Sequence, residues 1–145
     1  MDERRSEVAY HALRVALGVV PIAAGFDKFP NLLADWPSYL SPLAIRLLPV
    51  SPDTFMRLAG IVEIAVGAAI LLGFARIFAW VAMGWLAAIA LELLTTGRFF
   101  DVAARDLVMA TAAFALAKLA PAFERATSRA HLPATNAGTA APRQA

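Results

Sequence analysis

Apolar positions in this chain gather into four long blocks instead of the broken stripes of a water-soluble helix. The first centres on Val15 to Phe26 and has no polar side chain. The second runs from about Phe55 to Phe74, and from Leu58 onward its only charge is Glu63. The third, Ile77 to Leu94, carries only Glu92. In the fourth, about Val102 to Ala120, the part from Leu107 to Ala117 is apolar apart from Thr111. The longest uncharged run is Ile77 to Leu91. No block therefore reaches the uninterrupted run of about 18 apolar residues that is the simplest sign of a membrane span. A surface helix nevertheless needs a polar face, and the second and third blocks have none. About 20 residues at about 1.5 Å each span roughly 30 Å, the thickness of a bilayer's hydrocarbon core. The pattern predicts an all-α integral membrane four-helix bundle over residues 1–122. A disordered cytoplasmic tail is expected over residues 123–145, which from Thr127 are rich in Ala, Thr and Pro.

The connections differ in kind. The second and third blocks meet in a tight turn at Gly73–Arg76, and the third and fourth in a short one at Thr95–Asp101. The first connection, Pro30 to Asp53, is long and holds Pro30, Pro37, Pro42, Pro49 and Pro52 together with Trp36 and Tyr39. Its stretch Pro42 to Leu48 predicts a short helix at the membrane interface, the depth that Trp and Tyr favour. A structured loop of this length is a functional element or a cover over the bundle. Four crossings put both termini on one side. Arg4, Arg5, Arg76, Lys118, Arg125 and Arg129 flank that side, against Lys28, Arg46 and Arg98 on the other once Arg57 and Arg105 are set aside as lying within helices. The expectation is a multi-pass protein of the inner (cytoplasmic) membrane with both termini in the cytoplasm. A cleaved leader over the first block is the competing reading, and Asp2, Glu3 and Glu7 spoil the positive flank that it needs.

Composition sharpens this. Of 145 residues 60% are hydrophobic and 17% charged, too apolar for a small soluble enzyme or a disordered chain. The 13 basic residues face 11 acidic ones without a run of either sign, which argues for lipid and against nucleic acid as the partner. Cysteine is absent, which removes disulfides, thiolate catalysis, iron–sulfur clusters, covalent haem and thiolate zinc sites. The only histidines are His11 and His131, so no metal centre and no covalently bound cofactor are expected.

Helical spacing sorts the remaining charges. Arg14, Gly18, Pro21, Gly25 and Lys28 form one narrow stripe, and Gly60, Glu63 and Gly67 another with Arg57 at its flank. Asp106, Ala110, Ala113, Ala117 and Ala120 make a small-residue seam. Small residues mark close helix approach in lipid, so Gly18, Gly25, Gly60 and Gly67 are the expected packing positions and the charges beside them face inward. Most of these charges lie toward the half holding the long loop, Glu63 deepest; Arg14 belongs to the other half. They form interhelical salt bridges, or they line a polar pocket open to that face, or both. The candidate pocket set is Glu63, Arg57, Lys28, Asp27, Asp106, Arg105 and Glu92, with Glu63 foremost because a deep carboxylate is the group most prone to titrate or bind. His11 reads as an interface residue, and Trp80 and Trp85 as packing residues or a platform for a quinone ring.

Taken together, Arg14…Gly18…Ala24-Gly25-Phe26-Asp27-Lys28-Phe29, Ser41-Pro42, Gly60-Ile61-Val62-Glu63-Ile64…Gly67 and Gly97-Arg98-Phe99…Arg105-Asp106-Leu107 resemble the DoxX-like superfamily of small four-span bacterial membrane proteins. The likeness covers about Leu13 to Ala120, with Arg105-Asp106 standing where relatives often have Lys-Asp. The resemblance implies a four-helix membrane bundle associated with redox biology, as an accessory subunit of an oxidoreductase or a partner in oxidative-stress defence. Without cysteine or a nucleotide loop the chain is not equipped to carry electrons unaided, so a non-catalytic or quinone-facing role is the consistent form of that expectation. A quinone is then the candidate cofactor, and an oxidoreductase subunit and a second copy of the chain are the candidate protein partners. Two other functions stay open: a small proton- or ion-coupled transporter, since charges within spans also mark ion pathways, and a structural scaffold that recruits partners through its loop and tail.

Overall fold

The computed structural model describes residues 3–130, with side chains described for residues 4–124. Among the described residues there is no strand. Helix α1 covers Glu3–Asp27; a 3-10 turn at Trp36–Tyr39 leads to α2 at Pro42–Leu47. Helices α3 (Pro52–Ala69), α4 (Ala75–Thr95) and α5 (Phe100–Ala130) follow. Helix α5 continues eight residues past the expected domain boundary at 122, and residues 131–145 of the expected tail lie outside the described residues.

Three stretches are long and apolar enough to cross a membrane: Arg4–Asp27, Pro52–Thr95 and Phe100–Glu124. The second and third blocks fall within one 44-residue stretch, Pro52–Thr95, because α3 and α4 follow each other directly through Ile70–Phe74, where the backbone leaves the helical conformation at Gly73. That joined stretch is not straight. Gly73 sits at φ 110, ψ 0, a conformation that suits only a residue without Cβ. Trp85 Nε1 lies 3.5 Å from Glu63 Oε1. In an unbroken helix 22 residues would separate them by roughly 33 Å. Helix α4 therefore turns back alongside α3 at Gly73. Arg14 secures this corner by donating from Nε to the Ile70 carbonyl at 3.0 Å and from Nη2 to the Leu71 carbonyl at 2.5 Å. Carbonyls at a helix C-terminus lack partners within the helix and carry the negative end of its dipole, so a cation is well placed there.

Helix α1 packs on α3, and α4 on α5. Between α1 and α3 the backbones almost touch. A Cβ built on Gly25 would stand 2.5 Å from the Gly60 carbonyl oxygen, and one on Gly60 would stand 2.6 Å from that of Gly25. Two turns along, Gly67 faces the Gly18 carbonyl in the same way. In lipid such contact replaces the hydrophobic drive that packs helices in water. The core near the Gly73 corner is built from Leu17, Val66 and Ile70 with the small residues Ala79, Ala113 and Ala120. Around the outside, Val15, Val19, Ile61, Ile77, Leu91 and Val108 are exposed. Large apolar side chains turned outward on every long helix suit a hydrocarbon surround.

The loop end is shaped by local signals. Ser41 and Ser51 each precede a proline, and their hydroxyls accept from the amides of Ala44 and Thr54, which starts α2 and α3. Gly97 at φ 67 ends the turn after α4, and Phe99 at φ 58 leads into α5.

Candidate functional site

Lys28 follows the last residue of α1, and Glu63 lies three turns into α3. The close approach at Gly25 and Gly60 carries the two side chains together, with Lys28 Nζ 2.6 Å from Glu63 Oε2. Both are almost fully buried, at 5% and 9% side-chain exposure. Trp36 covers the ammonium, its ring centroid 3.7 Å from Nζ, a cation–π contact. The same indole donates from Nε1 to Asp27 Oδ2 at 2.7 Å. Asp27 also accepts from the amides of Leu32 and Leu33, so its carboxylate is the hub on which the first part of the loop folds. Glu63 receives Trp85 Nε1 on its other oxygen. The pair is thus held by α1, α3, α4 and the loop at once.

A second tie closes the loop. Glu92 of α4 accepts from the Ser41 amide at 2.7 Å and, more weakly, from Thr95 Oγ1 at 3.4 Å. Trp36, Tyr39 and Phe99 then form a row of edge-on rings, with centroids 5.8 Å and 4.6 Å apart, from the loop to the entrance of α5. Phe99 takes its left-handed backbone, uncommon for an aromatic residue, at the end of that row.

The candidate residues accordingly separate. Lys28 and Glu63 meet; Asp27 and Glu92 are engaged in holding the loop. Arg57 and Arg105 are exposed and make no hydrogen bond or ion pair among the described residues, so they do not line the interior as the sequence pattern suggested. Helix geometry accounts for this: six residues from Glu63 turn Arg57 about 120° away, and Arg105 lies about 100° around α5 from Asp106. Asp106 is half-buried, within electrostatic reach of Glu63 and Lys28 as well as Arg105, and has no hydrogen bond or ion pair among the described residues. It is the unclaimed acceptor within electrostatic reach of the buried pair. Sequence reasoning placed Trp36 at the membrane interface and missed its contact with Lys28. The Asp27-Lys28 dipeptide at the mouth of a span, with an indole eight residues on, is the signal that could have found it.

On the α1–α3 side at this end lies a groove of about 580 Å³, apolar along Ala23, Phe26, Phe29, Pro30, Leu33 and Ile64, with Asp27 at its margin. Among the described residues no cluster of His, Asp or Glu could hold a metal ion.

A family model described as DoxX matches residues 9–104, a span holding Lys28, Glu63 and the whole loop. No curated protein and no solved structure matches the chain.

Proposed function

The chain belongs to the DoxX family of membrane proteins, and on that premise we propose that it is a four-span accessory subunit of an inner-membrane redox system that accepts a quinol or quinone head group at Asp106, beside the Lys28–Glu63 pair. The observation that carries this reading is the unclaimed, half-buried Asp106 carboxylate within electrostatic reach of a buried ammonium–carboxylate pair. A quinol hydroxyl needs an acceptor and a quinone carbonyl needs a donor. Asp106 supplies the first. Lys28 would supply the second once the Trp36 ring that covers it moves aside, because an ammonium has three protons and Glu63 engages one. The aromatic row offers ring faces, and the groove beside Ile64 offers an apolar surface for a tail. A quinone so held would supply the two-electron chemistry; the chain's own residues would bind and orient it and exclude water.

The reading is tested by isolating the full-length protein from its own membrane in mild detergent and assaying extracted quinone. The wild type should retain it, and Asp106→Asn should lower retention roughly 10-fold or more, the effect of one hydrogen bond to a charged group. Equal retention by the variant would contradict the site. Proton flux in quinone-free vesicles that is lost in Asp106→Asn would favour a carrier instead.

A further inference from the structure

A second groove lies at the opposite end of the bundle, between α4 and α5, and none of the loop-end chemistry involves it. It measures about 510 Å³ and is lined by Arg76 and Lys118 above Ile77, Trp80, Val81 and Pro121. We propose that this groove is a binding site for an anionic phospholipid, with the phosphate between Arg76 and Lys118 and an acyl chain along Trp80 and Val81.

Three observations support it. The first is charge: two exposed cations from different helices border one groove, and the nearby carboxylate, Glu124, is 3.9 Å from Arg76 Nη1, too far to occupy its donors by a hydrogen bond. The second is the layering from charged to apolar. Arg76 sits about one turn from the Gly73 corner and Lys118 borders the same groove, while Ile77, Trp80, Val81 and Phe114 beside them are exposed. A headgroup and its chain present the same order of chemistry to a membrane protein. The third is preorganisation. Lys118 Nζ stands 5.6 Å from the Trp80 ring and 5.5 Å from the Phe114 ring, and those rings meet edge-on at 5.6 Å. The aromatic pair holds the ammonium at the rim and so limits the side-chain ordering that binding would otherwise require. Basic grooves between helices at this depth suit phosphate headgroups. The inference uses the membrane setting but not the quinone reading, so either can fail alone.

The test is thermal unfolding of the full chain in mild detergent with added phosphatidylglycerol, phosphatidylcholine or inorganic phosphate. Phosphatidylglycerol should raise the midpoint of the wild type at concentrations roughly 30-fold below those at which phosphatidylcholine does, the combined attraction of two cations. Arg76→Gln/Lys118→Gln should lose that preference, and Arg76→Lys/Lys118→Arg should keep it. Both positions are exposed, so neither pair of changes disturbs the core. Equal response to the two lipids, a preference that survives in Arg76→Gln/Lys118→Gln, or the same rise with phosphate alone would each overturn the proposal; the last would make the site one for a free anion.

Discussion

Lys28 and Glu63 are buried together, and each is the other's ion partner. A buried pair gains little over an apolar pair of the same size, but breaking it leaves one charge stranded in a low dielectric. Lys28→Met alone should therefore lower unfolding stability in detergent by about 3–5 kcal/mol, whereas Lys28→Met/Glu63→Met should recover most of the loss. Equal destabilisation by the single and double variants would show that the pair is not the unit. The glycines pose a different constraint. With Gly25 and Gly60 in backbone contact, Gly25→Ala puts a methyl group 2.5 Å from a carbonyl oxygen, and forced separation of the helices should cost roughly 1–3 kcal/mol in the same assay. The spacing of Gly18/Gly25 and of Gly60/Gly67 is visible in the sequence, since it needs only the helical period. The partner of Lys28 is not, because register between helices far apart in sequence depends on how their surfaces fit. Arg57 and Arg105 fall on the wrong side of that line: counting charges near a span says nothing of which way each one turns.

At the scale of elements the loop is the informative part. Two prolines, each preceded by a capping serine, set where α2 and α3 begin, and α2 at Pro42–Leu47 falls within the stretch Pro42 to Leu48 that its composition suggested. The loop is then tied to the helices at three points: Asp27, the face of Trp36 over Lys28, and Glu92 on the Ser41 amide. Those ties were not legible, because two of them involve backbone amides, which every residue has. Glu92→Ala should release the α2 side of the loop, and limited proteolysis between residues 31 and 51 should become several-fold faster while the helical signal in circular dichroism is retained. The corner at Gly73 is readable as a turn from its glycine, but the cap that Arg14 places on the Ile70 and Leu71 carbonyls is not. Gly73→Ala should cost about 1–2 kcal/mol, since φ 110 is closed to a side chain with Cβ, and a neutral effect would mean that the corner relaxes.

Over the whole molecule the chain sorts its chemistry by end. Near the Gly73 corner Arg14 caps the joint and Arg76 and Lys118 flank a groove; the buried Lys28–Glu63 pair and the carboxylates that hold the loop gather at the other end. Hydropathy alone reveals the apolar blocks and hence the membrane setting, because that depends on totals. It does not settle how the 44 residues of Pro52–Thr95 are used, because a long apolar stretch can run straight or fold. The whole arrangement depends on that fold, which alone brings Glu92 and Ser41 to one face. The chain has no cysteine, so a single introduced one is a unique label. In sealed membranes of known orientation, Ser51→Cys and Arg98→Cys should react with an impermeant maleimide from the same side, and Phe74→Cys from the opposite side. If Ser51→Cys and Arg98→Cys instead reacted from opposite sides, Pro52–Thr95 would cross only once and the charged cluster could not form.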